Sequence, residues 1–170
     1  MKRIGLISDT HGFVPQRVFE IFTNVDEIWH AGDVGDVQVL YDLQAIKPVK
    51  AVYGNIDGQS VRNHCPEVHA FMCEDIKVLM IHIGGYPGKY VKRAKTLIEK
   101  EKPGLFITGH SHILKVIYDE NYDLLHLNPG AAGKFGLHTK ITFMTFVVEG
   151  NSIKDLEIIE VDRNIKMNQV

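Results

Sequence analysis

The chain has 170 residues, of which 45% are hydrophobic and 24% are charged, and its formal net charge is -2. These values are typical of a soluble protein, and we expect a single domain over residues 1–162 with a loose polar tail over residues 163–170. The slight negative charge argues against a general nucleic-acid or membrane-surface binder, since both need a basic face.

The N-terminal apolar stretch and the cysteines bear on the cellular compartment. The apolar residues that follow Met1-Lys2-Arg3 end at Ser8, so the stretch is too short for a signal-peptide core or a membrane span. Cys65 and Cys73 fit no metal-binding or redox spacing, and we expect both to be reduced thiols. These features predict a cytoplasmic protein.

The first half of the chain alternates between predicted strands and helices. The apolar run Ile4–Ile7 predicts a buried strand, and Val14–Thr23 then has apolar residues at helical spacing. A strand over Glu27–Ala31, an amphipathic stripe from Val37 to Ile46 and a strand over Val49–Tyr53 follow. This alternation predicts a parallel sheet with right-handed crossovers.

From Pro66 onward the pattern changes to short strand-like runs. One helix is predicted by the apolar spacing from Val91 to Ile98. Asn- and Gly-bearing turns between the strands favour antiparallel pairing in this half of the chain. The predicted strands are Val68–Met72, Ile76–Ile81, Leu105–Thr108, Ile113–Tyr118, Leu124–Leu127, Ile141–Val148 and Ile153–Val161.

Polar side chains follow many of the predicted strands. Asp9 and His11 come after the first strand, and because side chains alternate along an extended chain they point the same way, roughly 6 to 7 Å apart. One such residue alone is more often a helix cap or a structural histidine, so their recurrence carries the argument. Open α/β sheets bind ligands at the carboxyl ends of their strands. The recurring residues are Asp9, His11, Asp33, Asn55, His82, His110 and His112.

These seven side chains indicate a metal centre. Imidazole, carboxylate and amide donors without a thiolate suit borderline to hard divalent ions, and seven donors exceed the needs of one tetrahedral site. We therefore expect two divalent metal ions. Mn²⁺ is the expected metal, with Ni²⁺, Fe²⁺, Zn²⁺ or Mg²⁺ as alternatives.

The order and spacing of these residues resemble the five motifs of the calcineurin-like metallophosphoesterases over nearly the whole chain. The resemblance is to their small bacterial and archaeal phosphodiesterase branch, which has a turn similar to Asn128-Pro129-Gly130-Ala131. It implies an α/β fold, a four-layer α/β/β/α sandwich of two mixed sheets flanked by helices. The matching motifs are Asp9-Thr10-His11, Gly32-Asp33, Gly54-Asn55, His82 and Gly109-His110-Ser111-His112.

The resemblance also implies a role for each donor. It assigns one ion to Asp9, His11 and His112, the other ion to Asn55, His82 and His110, and a bridging position to Asp33. The implied activity is that of a phosphodiesterase, in which a hydroxide that bridges the two metals attacks a small phosphodiester or nucleotide in line. We expect a single metallophosphoesterase domain over residues 1–162.

Two other functions stay open. The same fold serves as a protein-interaction scaffold in retromer-like trafficking subunits, whose metal ligands have decayed, whereas the donor set here is complete. A phosphomonoesterase or nucleotidase is disfavoured by the lack of an obvious Arg cluster for a dianionic phosphate and by the missing acid His after Asn55. Among partners, we expect a small phosphorylated substrate and no stable nucleic-acid or membrane binding, while a homodimer or higher homo-oligomer stays open.

A departure from the family pattern concerns the proton donor. Larger members often have a His directly after the Asn, placed to protonate the leaving group, but this chain has Ile56 there. A second departure is Ile83 directly after His82, where the family commonly has Gly. Leaving-group assistance is therefore in doubt, while His82 is kept as a ligand.

Other polar residues have two interpretations each. Asp36 and Asp57 either orient ligands or serve as turn and helix-cap carboxylates. His30 precedes the turn to Asp33 and is expected to pack rather than to bind metal. Lys89 and Arg93 flank a Gly-rich loop and could steer an anionic substrate, but an exposed charged helix face explains them equally well.

Overall fold

A computed structural model describes residues 1–134 and 138–163 of the chain. The helices and strands predicted from the sequence are present, and their observed ends differ from the predicted ends by a few residues. A short helix over Gln59–Arg62 has no predicted counterpart. The elements in chain order are β1 (Lys2–Ile7), α1 (Gln16–Phe22), β2 (Glu27–His30), α2 (Val37–Gln44), β3 (Val49–Ala51), α3 (Gln59–Arg62), β4 (Val68–Cys73), β5 (Ile76–Ile81), α4 (Lys92–Glu101), β6 (Leu105–Ile107), β7 (Lys115–Asp119), β8 (Leu124–Asn128), β9 (Lys140–Glu149) and β10 (Ser152–Asp162).

The first sheet has the strand order β10-β9-β1-β2-β3. Its strands β1, β2 and β3 pair in parallel, which confirms the pairing predicted from the alternation of strands and helices. Strands β9 and β10 add an antiparallel hairpin beside β1. The carboxyl ends of β1, β2 and β3 therefore lie at one edge of this sheet.

The second sheet has the order β4-β5-β6-β8-β7, and its pairing corrects one prediction. The β4–β5 and β7–β8 pairs are antiparallel as expected, but β5–β6 and β6–β8 are parallel. Helix α4 carries the chain back between β5 and β6, and β7 does the same between β6 and β8, so each following strand runs parallel to the earlier one. This pairing places the carboxyl ends of β5 and β6 side by side.

The two sheets pack face to face around a buried apolar layer. Leu6, Trp29 and Phe146 from the first sheet meet Met80 and Ile107 from the second, and none of the five exposes any surface. Burial of side chains of this size stabilises a fold by about 1.5–3 kcal/mol each, so this layer fixes the relation of the sheets.

Two further apolar layers attach the helices. Phe22 of α1 and Leu43 of α2 pack against the outer face of the first sheet at Phe143. Ile98 of α4 packs against the outer face of the second sheet at Phe106. The order helix, sheet, sheet, helix confirms the four-layer sandwich implied by the family resemblance.

Within the described ranges, no helix is long and apolar enough to cross a membrane. Of the predicted tail over residues 163–170, only Arg163 lies in the part of the chain that the structure describes. The prediction of a single domain over residues 1–162 stays a prediction.

His126 of β8 lies in the apolar layer beneath α4. Its side chain is fully buried, and its ring centroid is 5.6 Å from that of Phe106. Neither ring nitrogen has a hydrogen-bond partner among the described residues. Burial lowers the pKa of His126 from its ordinary value of 6.5 to about 4, so the folded protein holds this imidazole neutral.

We predict that His126→Phe makes the metal-free protein less sensitive to mild acid. The unfolded chain protonates this imidazole below its ordinary pKa, whereas the folded chain resists protonation, so stability that is present above pH 6.5 is lost as the pH falls toward 4. Between pH 7 and pH 5 the wild type should lose about 2 kcal/mol more of its free energy of unfolding than the variant. Urea unfolding at the two pH values measures this difference.

The control for this prediction is Phe106→Leu, which weakens the same apolar layer without removing a titrating group. It should lower the free energy of unfolding by a similar amount at both pH values. Equal acid sensitivity of the wild type and His126→Phe would contradict the prediction.

Candidate metal centre

The predicted donors meet where the two sheets share an edge. Asp9 follows β1 and Asp33 follows β2, both in the first sheet. His82 follows β5, and His110 and His112 follow β6, in the second sheet. Because these strands are parallel within each sheet and the sheets face each other, their carboxyl ends open onto one common site.

Six of the seven predicted donors form two groups. Within each group, one ligand atom from every residue lies within 4.8 Å of the others. The two groups coincide with the two ligand sets that the family resemblance implies, apart from Asn55 and the bridging residue. One group is Asp9, His11 and His112, and the other is Asp33, His82 and His110.

Asp33 lies between the two groups. Its Oδ1 is 3.2 Å from His82 Nε2, and its Oδ2 is 4.0 Å from His11 Nε2 in the other group. Burial would raise the pKa of Asp33, but His82 and the Ile56 N–H outweigh burial and hold that pKa below its usual value. Asp33 is therefore ionised, with one oxygen toward each group, which is the position of a bridging carboxylate.

The contacts of His82 show that the centre fits a cation. Its Nδ1 is 2.8 Å from the Ala31 carbonyl, so Nδ1 carries the proton and Nε2 presents a lone pair. That lone pair faces Asp33 Oδ1 at 3.2 Å and Asp9 Oδ1 at 3.9 Å. Neither His82 Nε2 nor Asp9 Oδ1 has a hydrogen-bond partner in the described part of the chain. In the neutral ring these lone pairs face each other, and they repel unless a proton or a cation lies between them.

The same carboxylates shift the histidine pKa values. Burial lowers the pKa of His82, but Asp33 and Asp9 outweigh burial and raise it overall. Contact with Asp9, whose Oδ1 is 3.1 Å from His112 Nε2, raises the pKa of His112. Positive charge is therefore favourable on or beside both imidazoles, and a bound divalent ion would supply it.

The Asp9 carboxylate is held in one orientation. Its Oδ2 accepts hydrogen bonds from Ser8 Oγ at 2.6 Å and from the His110 N–H at 3.1 Å. These two hydrogen-bond donors come from the loops after β1 and β6. They occupy Oδ2, so that Oδ1 of Asp9 is the oxygen that faces the centre. The backbone of one predicted ligand thereby orients the side chain of another.

Five predicted donors have an unusual backbone conformation. Asp9, His11 and Asp33 have φ values of 53°, 48° and 51°, and His110 and His112 have 66° and 58°. L-residues adopt this left-handed region rarely and at a cost, and such residues concentrate at functional sites. At Asp9 and His11 this backbone corrects the sequence argument, which placed their side chains on one side of an extended chain, since β1 ends at Ile7.

Two glycines allow the loops to close around the donors. A Cβ at Gly54 would overlap Asp33 Oδ1 and lie 2.7 Å from His82 Cδ2. A Cβ at Gly109 would lie 2.8 Å from Asp9 Oδ2 and 2.9 Å from His82 Nδ1. The glycines of the Gly54-Asn55 and Gly109-His110 motifs are therefore required sterically, since any side chain at these two positions would push the donors apart.

Asn55 follows β3 and lines a cavity that also includes His82. Asn55 is exposed and lies at the open side of the centre. The next residue, Ile56, donates its N–H to Asp33 Oδ1 at 3.1 Å. The loop after β3 thus contacts the Asp33 carboxylate, while ligation of a metal by Asn55 stays a prediction.

Asp57 is the carboxylate that holds the loops together. It is buried, and it accepts hydrogen bonds from the N–H groups of Val34 at 3.1 Å, Gly35 at 2.7 Å and Gly54 at 2.8 Å. The sequence left Asp57 open between orienting ligands and serving as a turn or cap carboxylate. Its contacts are to backbone N–H groups, so it ties the loops that carry Asp33 and Asn55 together without touching a donor side chain. Asp36, by contrast, accepts from the Gln38 N–H and caps α2.

His30 performs a similar role on the other side of Asp33. Its Nδ1 accepts from the Gly32 N–H at 3.1 Å, so Nε2 carries the proton and donates to Thr10 Oγ1 at 2.9 Å. Thr10 Oγ1 in turn donates to the Val34 carbonyl at 3.0 Å. Burial lowers the pKa of His30 to about 4, which keeps it neutral. His30 packs and positions the loops, as expected from the sequence.

The sequence matches the calcineurin-like phosphoesterase superfamily domain over residues 1–151. The chain belongs to this superfamily, and membership supports a hydrolase that binds divalent metal ions. A probable metallophosphoesterase from Methanothermobacter thermautotrophicus is 32% identical over 161 residues, which cover 92% of this chain and 91% of the relative.

Two solved structures illustrate how widely the fold is shared. Vps29 from Chaetomium thermophilum has a TM-score of 0.76 at 14% identity, and the alignment covers 95% of this chain and 94% of the Vps29 chain. An archaeal phosphodiesterase has a TM-score of 0.73 at 22% identity and covers 92% of this chain and 99% of its own. At these identities the likeness shows the fold alone.

We predict that Asp57→Ala weakens metal binding although Asp57 is not a predicted ligand. The substitution leaves three N–H groups without their acceptor and frees the loops that hold Asp33 and Asn55. We expect about 10- to 100-fold weaker Mn²⁺ binding, measured by calorimetric titration of the metal-free protein.

The matched control is Asp36→Ala, which removes a helix cap three residues after Asp33. It should cost about 1 kcal/mol of stability and leave Mn²⁺ affinity unchanged. Asp57→Asn keeps one acceptor oxygen and provides a folded variant if Asp57→Ala does not fold. Wild-type affinity in both Asp57 variants would contradict the role assigned to this carboxylate.

Proposed function

We propose that the chain is a metal-dependent phosphodiesterase that acts on a small phosphodiester or nucleotide at a centre of two divalent ions. The observation that carries the proposal is that His82 Nε2 and Asp9 Oδ1, one from each group of donors, are buried and have no hydrogen-bond partner among the described residues. An unpaired buried polar atom is costly to a folded protein, and a cation in the centre would pair with both atoms.

Each donor has a proposed position in this centre. Asp9, His11 and His112 hold one ion, Asn55, His82 and His110 hold the other, and Asp33 holds both. When bound, two divalent ions lower the pKa of a water molecule and neutralise charge on phosphoryl oxygens. Nitrogen and oxygen donors of this kind suit Mn²⁺, which we propose as the metal.

The burial of the donors indicates the side from which a substrate enters. Asp9, Asp33 and His82 are buried and form the base of the centre. His110 is exposed and His11 is partly exposed, so the open side of the centre lies over them. The buried carboxylates are fixed by neighbouring N–H and O–H donors, which keeps the site organised before a phosphate binds.

The leaving group has no side-chain proton donor at position 56. Ile56 is 47% exposed beside the bridging Asp33, at the position where larger family members often have a His. A general acid commonly contributes about 10²–10⁴-fold to a rate. We therefore propose that solvent protonates the leaving group and that substrates with acidic leaving groups are preferred.

Two alternatives remain as outcomes of the tests. The Vps29 neighbour has the same fold, and the superfamily resemblance allows a scaffold, but a scaffold has no need of a complete donor set. The sequence arguments against a phosphomonoesterase were the lack of an Arg cluster and the missing acid His. Arg62 and Arg93 line one cavity beside His82, so the first argument no longer holds and a direct comparison of substrates is required.

We predict that stripped protein regains hydrolysis of bis(p-nitrophenyl) phosphate when Mn²⁺ is added. Asp33→Ala and Asn55→Ala should each lose at least about 10³-fold of this activity, because each removes a proposed ligand of the second ion. Far-ultraviolet circular dichroism should show that both variants keep the fold. Asp42→Ala, which removes an exposed carboxylate on α2, should keep wild-type activity.

The outcomes separate the three functions. Metal-dependent turnover of the diester that both site variants abolish supports a phosphodiesterase. Faster turnover of p-nitrophenyl phosphate than of the diester would instead show a monoesterase. Absence of turnover with Mn²⁺, Ni²⁺, Mg²⁺ and Zn²⁺ would overturn the proposal and favour the scaffold.

We also predict that the wild-type rate falls steeply as the pKa of the leaving alcohol rises. Aryl phosphodiesters with graded leaving groups measure this dependence, since no side chain at position 56 can share the developing charge. Ile56→His should flatten the dependence and speed the poorest leaving groups by about tenfold or more. A shallow dependence in the wild type would mean that another group already donates the proton.

A further inference from the structure

A cavity of about 470 Å³ adjoins the candidate metal centre. It shares His82 with the second group of donors and is also lined by Asn55, so a molecule in the cavity can reach that side of the centre. The cavity is within the usual size range of small-ligand pockets. Its remaining walls contain side chains to which the proposed hydrolysis assigns no role.

Two of the residues that line the cavity are apolar and exposed. Ile83 and Val91 expose 39% and 38% of their surface and both line the cavity. Ile83 is also the residue that replaces the Gly commonly found after the family's ligand His. Exposed aliphatic side chains in a concave site provide contact area for a flat organic group such as a nucleobase or sugar.

Arg62, the last residue of α3, lies on another wall. Its Nε donates to the Asp57 carbonyl at 2.6 Å, and its guanidinium carbon lies 4.5 Å from the centroid of the Tyr53 ring. In the described part of the chain, its terminal nitrogens donate to no protein acceptor. The guanidinium is thus held in place by stacking and one hydrogen bond, with its remaining donors unused.

Arg93 of α4 supplies a second guanidinium to the same cavity. It pairs with Glu67, which also accepts a hydrogen bond from Tyr53 Oη at 3.3 Å. One carboxylate therefore faces two guanidiniums, and the three side chains together carry one net positive charge. Helix α3 and helix α4 are far apart in sequence, so only the fold brings these two arginines together.

We propose that this cavity binds the nucleoside part of the substrate and that Arg62 and Arg93 bind a second phosphate carried by it. The proposal rests on the phosphodiesterase function and narrows its substrate to nucleoside phosphodiesters with an additional phosphate group. Arginine is suited to this task, since its planar fork makes paired hydrogen bonds to phosphate oxygens. The apolar walls and the guanidiniums together match a ligand that is part base and part anion.

The test compares two diesters that differ by one phosphate. Thymidine 5′-(p-nitrophenyl phosphate) and its 3′-phosphorylated form are offered to the Mn²⁺-loaded protein, and chromatography counts every product, whichever ester bond breaks. We expect the wild type to have about tenfold or higher kcat/KM for the 3′-phosphorylated diester. The preference should shrink as salt screens the interaction.

Variants assign this preference to the two arginines. Arg62→Ala and Arg93→Ala should each lower the ratio of the two kcat/KM values at least about threefold, and the double variant should bring it to about 1. Lysine at either position should restore only part of the ratio, because it keeps the charge without the fork. Arg17→Ala, which removes an exposed arginine paired with Glu20 on α1, should keep the wild-type ratio.

Calorimetry provides a readout that does not depend on turnover. Metal-free wild type should bind thymidine 3′,5′-bisphosphate more tightly than thymidine 5′-phosphate, and the double variant should lose this difference. Absence of turnover of both diesters would reject the phosphodiesterase function itself. Turnover of both with a ratio near 1, unchanged in the double variant, would overturn the second-phosphate site and leave the phosphodiesterase function intact.

Discussion

The arrangement of the centre depends on one electrostatic constraint. Two buried carboxylates, Asp9 and Asp33, face the lone pair of His82 at 3.9 and 3.2 Å, where no described group donates a hydrogen bond to His82 Nε2 or Asp9 Oδ1. At such distances in a partly dry environment, like partial charges repel by an amount that matters to a fold of marginal stability. A cation between them turns this repulsion into attraction.

Several contacts hold the loops of Asp9 and Asp33 in place against this repulsion. Left-handed backbone at Asp9 and Asp33 stores a cost of order 1–3 kcal/mol at each position, and a single hydrogen bond does not offset that. Asp57 and His30 secure the same loops from below through backbone N–H groups and Thr10. Strained loops need several such ties, because otherwise they would relax and separate the donors.

The sequence predicts those features that depend on local pattern. Apolar periodicity locates the strands and the three main helices, and the polar residues after the strands identify the donors. The parallel pairing of β5, β6 and β8 escapes such reasoning because strand direction depends on where the intervening chain crosses the sheet. The convergence of Arg62 and Arg93 also escapes it, since only the fold brings α3 and α4 to the same cavity.

The packing of the fold is separate from the candidate metal centre. The three apolar layers hold the sheets and helices together without help from the donors. Removal of a donor side chain relieves repulsion and leaves those layers intact, whereas the left-handed backbone at five donors stays costly for any other L-residue except glycine. A chain that keeps six donors in two groups, five of them with left-handed backbone, therefore retains a cost that the loop contacts offset in part and that bound cations would offset further. This balance agrees with the binding of divalent ions that membership of the superfamily supports.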